Sequence, residues 1–148
     1  MIGNYKVITL CGSTRFKEDF ERVNRELTLA GNIVISVGCF GHSGDTFTEE
    51  QKVMLDDIHK RKIDIADAIF VINKNGYIGT STKSEIEYAL QHKKQIIYME
   101  SCGDCEHFIG GGDWNLCCDL PHPDYPCGFL CYRYTPACEQ YKVRQVNQ

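Results

Sequence analysis

The chain has 148 residues, 43% apolar and 24% charged, a composition that can bury one ordinary core and excludes an intrinsically disordered chain. A net charge of -4 argues against a general binder of polymeric nucleic acid, whose affinity is built from clustered Lys and Arg, while leaving small anionic ligands open. No apolar run approaches the roughly 20 residues of a membrane span, and the first residues lack the cationic and apolar segments of a secretory signal. The expected setting is the cytoplasm, with no membrane partner.

Taken in chain order, Lys6 to Leu10 reads as a first strand, and Cys11-Gly12-Ser13-Thr14 as the turn into a helix with the apolar face Phe16, Phe20, Val23, Leu27 and Ala30. Gly31 stops that helix. Asn32 to Val37 is a second strand, and the polar stretch Gly38 to Phe47, which carries His42, is long enough to act as a flap. Thr48 with Gln51 forms a capping box that opens a helix expected to bury Val53, Leu55, Ile58 and Ile65. The apolar run from Ala66 to Asn73 is a buried parallel strand. Gly76 and Gly79 then permit an irregular loop, Glu85 falls in the first turn of the next helix, and Gln95 to Met99 is a fourth strand.

A β-α-β-α-β-α-β pattern folds as a parallel sheet with right-handed crossovers; the expected order 2-1-3-4 puts a topological switch between the first and third strands. Ser13 and Glu85 would face one crevice there. For Glu85 two readings are open. Thr82 and Glu85 stand at the spacing of a capping box, or Glu85 presents its carboxylate at the ligand-binding edge of the sheet.

Composition changes near Glu100 and Ser101, dividing an α/β domain over residues 1–100 from a small module over 101–148. Seven of nine cysteines and all four prolines fall in the second part. In a reducing compartment, metal rather than disulfides would hold such a segment. Cys102-x2-Cys105 with Cys138 on a short helix opened by Thr135-Pro136 is a structural zinc pattern, with Cys118 or Cys131 as the fourth ligand. An iron–sulfur cluster is the rival, and buried free thiols are the bland alternative.

The turn Cys11-Gly12-Ser13-Thr14-Arg15 has the parts of an anion cradle: a glycine for close approach, two hydroxyls, helix-start amides and an arginine. Equally, Ser13 or Thr14 could be a simple N-cap and Arg15 a solvated residue. Neither a dinucleotide-binding G-x-G-x-x-G nor a Walker-type loop is present.

Leu10-Cys11-Gly12-Ser13-Thr14-Arg15 resembles the Cys-Gly-Ser-x-Arg turn of 2'-deoxynucleoside 5'-phosphate N-hydrolases. Ala66-Asp67 through Glu85-Ile86-Glu87-Tyr88-Ala89 is similar to a stretch shared across the nucleoside 2-deoxyribosyltransferase superfamily. The resemblance spans residues 6 to 99. It implies a flavodoxin-like, doubly wound α/β fold, a homodimer or larger homo-oligomer, a nucleoside or nucleotide substrate, and Glu85 as the nucleophile on the anomeric carbon. The turn Cys11, Gly12, Ser13, Thr14 and Arg15, together with Gly79 and Ser81 ahead of Glu85, would contact substrate. The chain departs from the family pattern at Thr9, where a tyrosine is common, at His59, where a sugar-binding aspartate is expected with Asp56 and Asp57 close by, and at Glu87, where glycine is usual.

Cleaving an N-glycosidic bond builds oxocarbenium character that a carboxylate beneath the sugar can stabilise or capture, and water or a second base then completes hydrolysis or transfer. Asp67, Asp57 and His59 are candidates for the acid that assists base departure, although Asp67 at a strand start also suits a structural role. The second hypothesis is a non-catalytic nucleotide-binding or sensing module whose metal-bound tail docks a partner.

Overall fold

In the computed structural model, residues 2–99 are described in full, together with the backbone of 108–109 and 117–118. The chain divides into two compact units, Met1–Ile72 with Ile78–Ile97, and Asn73–Tyr77 with Tyr98–Gln148.

The first unit is built on strands β1 (Val7–Gly12), β2 (Ile33–Ile35), β3 (Ala68–Ile72) and β4 (Gln95–Tyr98) in the order β2-β1-β3-β4, the order that the sequence pattern predicts. Pairing is parallel, Val7 with Ile33 on one side of β1 and Ile8 with Ala68 on the other. Helices α1 (Lys17–Leu29), α2 (Glu49–Ile65) and α3 (Thr80–Gln91) make the connections. The central strands are apolar on both faces, as a covered parallel sheet requires: Ile8, Leu10, Ile69, Val71 and Ile72 are all buried.

Alternation along β1 decides what each face meets. Thr9 donates its hydroxyl to the Lys62 carbonyl at 2.9 Å, and the Cys11 thiol meets His59, so the odd positions face α2. Gly12 faces the Phe20 ring of α1. A β-carbon there would stand 2.9 Å from the Ile72 carbonyl oxygen, on a backbone already at φ 157°, so the approach of β1 to β3 requires glycine.

Local signals explain most boundaries. Ahead of α2, Gln51 N–H donates to the Thr48 hydroxyl, and the Gln51 side chain accepts from Thr48 N–H, the predicted box. At the end of α1, Gly31 adopts φ 89° while Gly31 N–H reaches Thr28 and Asn32 N–H reaches Leu27, a Schellman ending. The end of α3 repeats the geometry with Lys93 at φ 55° in place of a glycine, its N–H on Leu90 and the Lys94 N–H on Ala89. The Lys94 ammonium donates to the Asp64 and Ala66 carbonyls at 2.8 and 2.9 Å, satisfying acceptors at the end of α2 with a cation that suits the helix dipole.

Several expectations are corrected. β1 continues two residues beyond Leu10, so Cys11 and Gly12 belong to the sheet, and a separate 3-10 turn, Thr14–Phe16, precedes α1. In α2 the buried residues are His59 and Ile63, whereas Val53, Ile58 and Ile65 are exposed. That helix carries two apolar stripes, and the one through Leu55, His59 and Ile63 turns inward. α3 starts at Thr80 behind Gly79, so Thr82 is a buried interior residue, Glu85 lies in the second turn, and the two make no capping box.

In the second unit, the 3-10 turn Lys74–Gly76 contains Asn75 at φ 53°, a left-handed position that asparagine tolerates. Strands β5 (Phe108–Ile109) and β6 (Cys117–Cys118) pair antiparallel. The predicted metal ligands Cys102, Cys105, Cys131 and Cys138 lie outside the described residues, and Cys118 is described by its backbone alone. Among the described residues, no helix is long and apolar enough to cross a membrane.

Candidate functional site

At the carboxyl end of the sheet, three elements each deliver one side chain to the same point. Cys11 comes from β1, His59 from the inward stripe of α2 and Glu85 from the second turn of α3. The Cys11 sulfur lies 3.3 Å from His59 Nε2, which lies 3.6 Å from Glu85 Oε2. Cys11 is fully buried, and the Glu85 side chain keeps 14% exposure, the most open of the three. The second distance is too long for a hydrogen bond, and among the described residues Glu85 Oε2 has no hydrogen-bond partner although it is buried.

Burial sets the charge of the group. It pushes the Glu85 carboxyl up to about 8; the neighbouring Cys11 thiol works against that shift, Asp56 adds to it and Lys60 opposes it. Burial pulls the His59 imidazole down to about 4, and the Lys62 charge acts in the same direction. The Cys11 thiol is raised well above its ordinary value, first by burial and then by Glu85. At neutral pH the site therefore holds a carboxylic acid, a neutral imidazole and a thiol, and the contact between His59 and Glu85 is not an ion pair. Both Cys11 and Glu85 converge on the same ring nitrogen, so the three do not form a linear relay of the Ser-His-Asp kind.

The predicted anion turn runs directly on from Cys11. Ser13 caps the 3-10 turn by accepting from Arg15 N–H at 3.4 Å, and Arg15 is exposed within that turn. The Thr14 hydroxyl is 2.6 Å from His42 Nδ1, which ties the Gly38 to Phe47 loop to this turn. A second tie joins the loop to α1, with the Phe40 ring edge-on to Phe20 at 5.7 Å and the Lys17 ammonium over Phe40.

Other predicted site residues stand elsewhere. Asp57 is exposed and, two residues from the inward-facing His59, projects from another side of α2. Gly79 precedes α3 and Ser81 is exposed in its first turn. Asp67 is spent at the opposite end of the sheet, accepting from Val7 N–H at 2.8 Å while its own N–H donates to the Val7 carbonyl at 2.9 Å. Thr9, at the position of the family tyrosine, is buried and bonded to α2.

Sequence reasoning missed the partnership of Thr14 with His42 and the electrostatic reach of Asp56 and Lys60 to Glu85. Asp56 is legible in the sequence as a neighbour of His59, one helical turn before it; its coupling to Glu85 is not. No protein-family model matches the chain, and no curated protein matches it in sequence.

Proposed function

We propose that the protein cleaves or transfers the N-glycosidic bond of a deoxynucleoside or its 5'-monophosphate, with Glu85 as the nucleophile. The observation that carries this reading is the buried Glu85 oxygen that has no hydrogen-bond partner among the described residues, at the carboxyl edge of a parallel sheet beside the strand that leads into the Ser13 to Arg15 turn. In its ionised form the Glu85 carboxylate attacks C1', and the C1'–N bond breaks with its electron pair passing to the base nitrogen, which takes up a proton. Water then attacks C1' and gives up a proton, which balances the one the base took up; the ester bond to Glu85 breaks with its electron pair and the carboxylate returns. Of the three acid candidates only His59 lies beside Glu85, since Asp67 is bonded to Val7 and Asp57 is exposed.

One observation favours the second reading, a nucleotide-binding module without turnover. A carboxyl held up to about 8 is protonated at neutral pH, and in that form it donates a hydrogen bond to a ligand rather than attacking it. Release of free base from deoxynucleosides and their 5'-monophosphates separates the two. Catalysis requires release that falls on the order of 10³-fold or more in Glu85→Gln. Saturable binding with no base released assigns the crevice to sensing instead.

A further inference from the structure

We propose that Cys11, His59 and Glu85 form a three-ligand site for a zinc-class divalent ion, with thiolate, imidazole and carboxylate donors and a fourth position open. The site is distinct from any metal in the cysteine-rich segment, because all of its ligands belong to the α/β unit.

Three elements separated in sequence bring one ligand atom each to within 4.8 Å of the others. A tetrahedral ion with bonds of about 2.3 Å to sulfur, 2.0–2.1 Å to nitrogen and 2.0–2.2 Å to oxygen holds its ligand atoms roughly 3.3–3.6 Å apart. Two of the three separations, 3.3 Å from sulfur to nitrogen and 3.6 Å from nitrogen to oxygen, fall in that range, and the sulfur and the carboxylate oxygen lie within 4.8 Å of each other. Without an ion the same arrangement is incompletely satisfied: Cys11 and His59 stand at hydrogen-bond distance, but the 3.6 Å gap to Glu85 is no hydrogen bond, and among the described residues Glu85 Oε2 is buried without a partner. An ion on that oxygen removes the defect. The donor set selects the metal, since a thiolate with an imidazole suits zinc or cobalt and disfavours magnesium and calcium, which take oxygen ligands. Three protein ligands with a vacant position are the arrangement of an exchangeable or catalytic centre rather than a closed structural one. The open side is that of Glu85, the most exposed ligand.

The consequence for catalysis rests on Glu85 being the nucleophile. A bound ion takes the carboxylate that would attack C1', so zinc should inhibit base release and chelation should restore it.

The test uses the full chain after chelator treatment, with Cd²⁺ and Co²⁺ as probes. Cadmium-113 NMR of the wild type should show a resonance in the range of a single-sulfur site, separate from any signal of a multi-thiolate cluster. Equilibrium dialysis should find one fewer cobalt per chain bound to Cys11→Ser and to His59→Gln, their affinity at this site falling roughly 100-fold or more. A wild type with no single-sulfur resonance overturns the proposal, as do folded variants that retain every cobalt equivalent. The cadmium measurement needs no variant, so it decides even if a substitution prevents folding. Base release is read separately. Metal bound with zinc-insensitive release keeps the site and removes its regulatory role, and metal bound with no release from any substrate keeps the site while ending the glycosidase reading.

Discussion

The two ends of the central sheet are built on opposite principles. At the amino end the polar groups beside β1 and β3 are paired: Asp67 and Val7 exchange two hydrogen bonds, and the Lys94 ammonium takes the Asp64 and Ala66 carbonyls. At the carboxyl end Cys11, His59 and Glu85 are pressed together, with one buried oxygen that has no partner among the described residues. Paired groups hold a fold in place; unpartnered ones are held by it, and they persist because the surrounding packing is strong enough to keep them. In this molecule the paired polar groups lie at one edge and the candidate site at the other, where Gly12 also fixes the packing of β1 on β3.

Substitutions at the two ends should separate those roles. The largest effect is expected at Gly12, which does both jobs. Gly12→Ala forces a β-carbon against the Ile72 carbonyl and should lower unfolding free energy by about 2–3 kcal/mol, read from a urea midpoint. At the amino end, Lys94→Met should lose about 1–2 kcal/mol by leaving helix-end carbonyls without their donor. Ligand binding at the far edge should be unchanged in isothermal titration. A loss of affinity comparable to that of a Cys11 variant would break the division between the ends.

At the carboxyl end the expected signature is pH dependence. Glu85 sits near 4.5 unfolded and at about 8 folded, so the folded state holds its proton more tightly. In chelated protein, that preference is fully present below about pH 4.5 and is lost as pH rises towards 8. Glu85→Gln cannot ionise, so its stability relative to the wild type should climb across that window. A flat difference would mean that Glu85 is solvated. The smallest effect is expected at Lys93, whose φ of 55° strains a side chain; Lys93→Gly should stabilise by about 0.5 kcal/mol, measured as a small rise in Tm.

What the sequence disclosed follows from which interactions are local. Strand order, the Thr48 to Gln51 box and the Gly31 stop depend on residues close in the chain or on the alternation of elements, and each was legible. The inward face of α2 was not, because periodicity finds stripes without saying which meets the sheet, and His59 occupies the buried stripe while Val53 and Ile65 stay in solvent. Thr82 and Glu85 had the spacing of a box but lay inside a helix that had already begun. The sequence marks Cys11, His59 and Glu85 separately, for phosphate, sugar and nucleophile in turn. Their convergence on one nitrogen depends on how two helices dock, which no spacing along the chain encodes.

The ties between the Gly38 to Phe47 loop and the turn before α1 bear on the order of assembly during synthesis. Thr14 and His42 are 28 residues apart, whereas Cys11 and His59 are 48 apart and Val7 and Asp67 are 60 apart. Shorter loops close with less entropy loss and close sooner. Pulse-labelled hydrogen exchange on ribosome-stalled chains should therefore find the turn and its loop protected before α3 has emerged. On that order the turn proposed to grip a ligand forms before the carboxylate proposed to act on it has emerged.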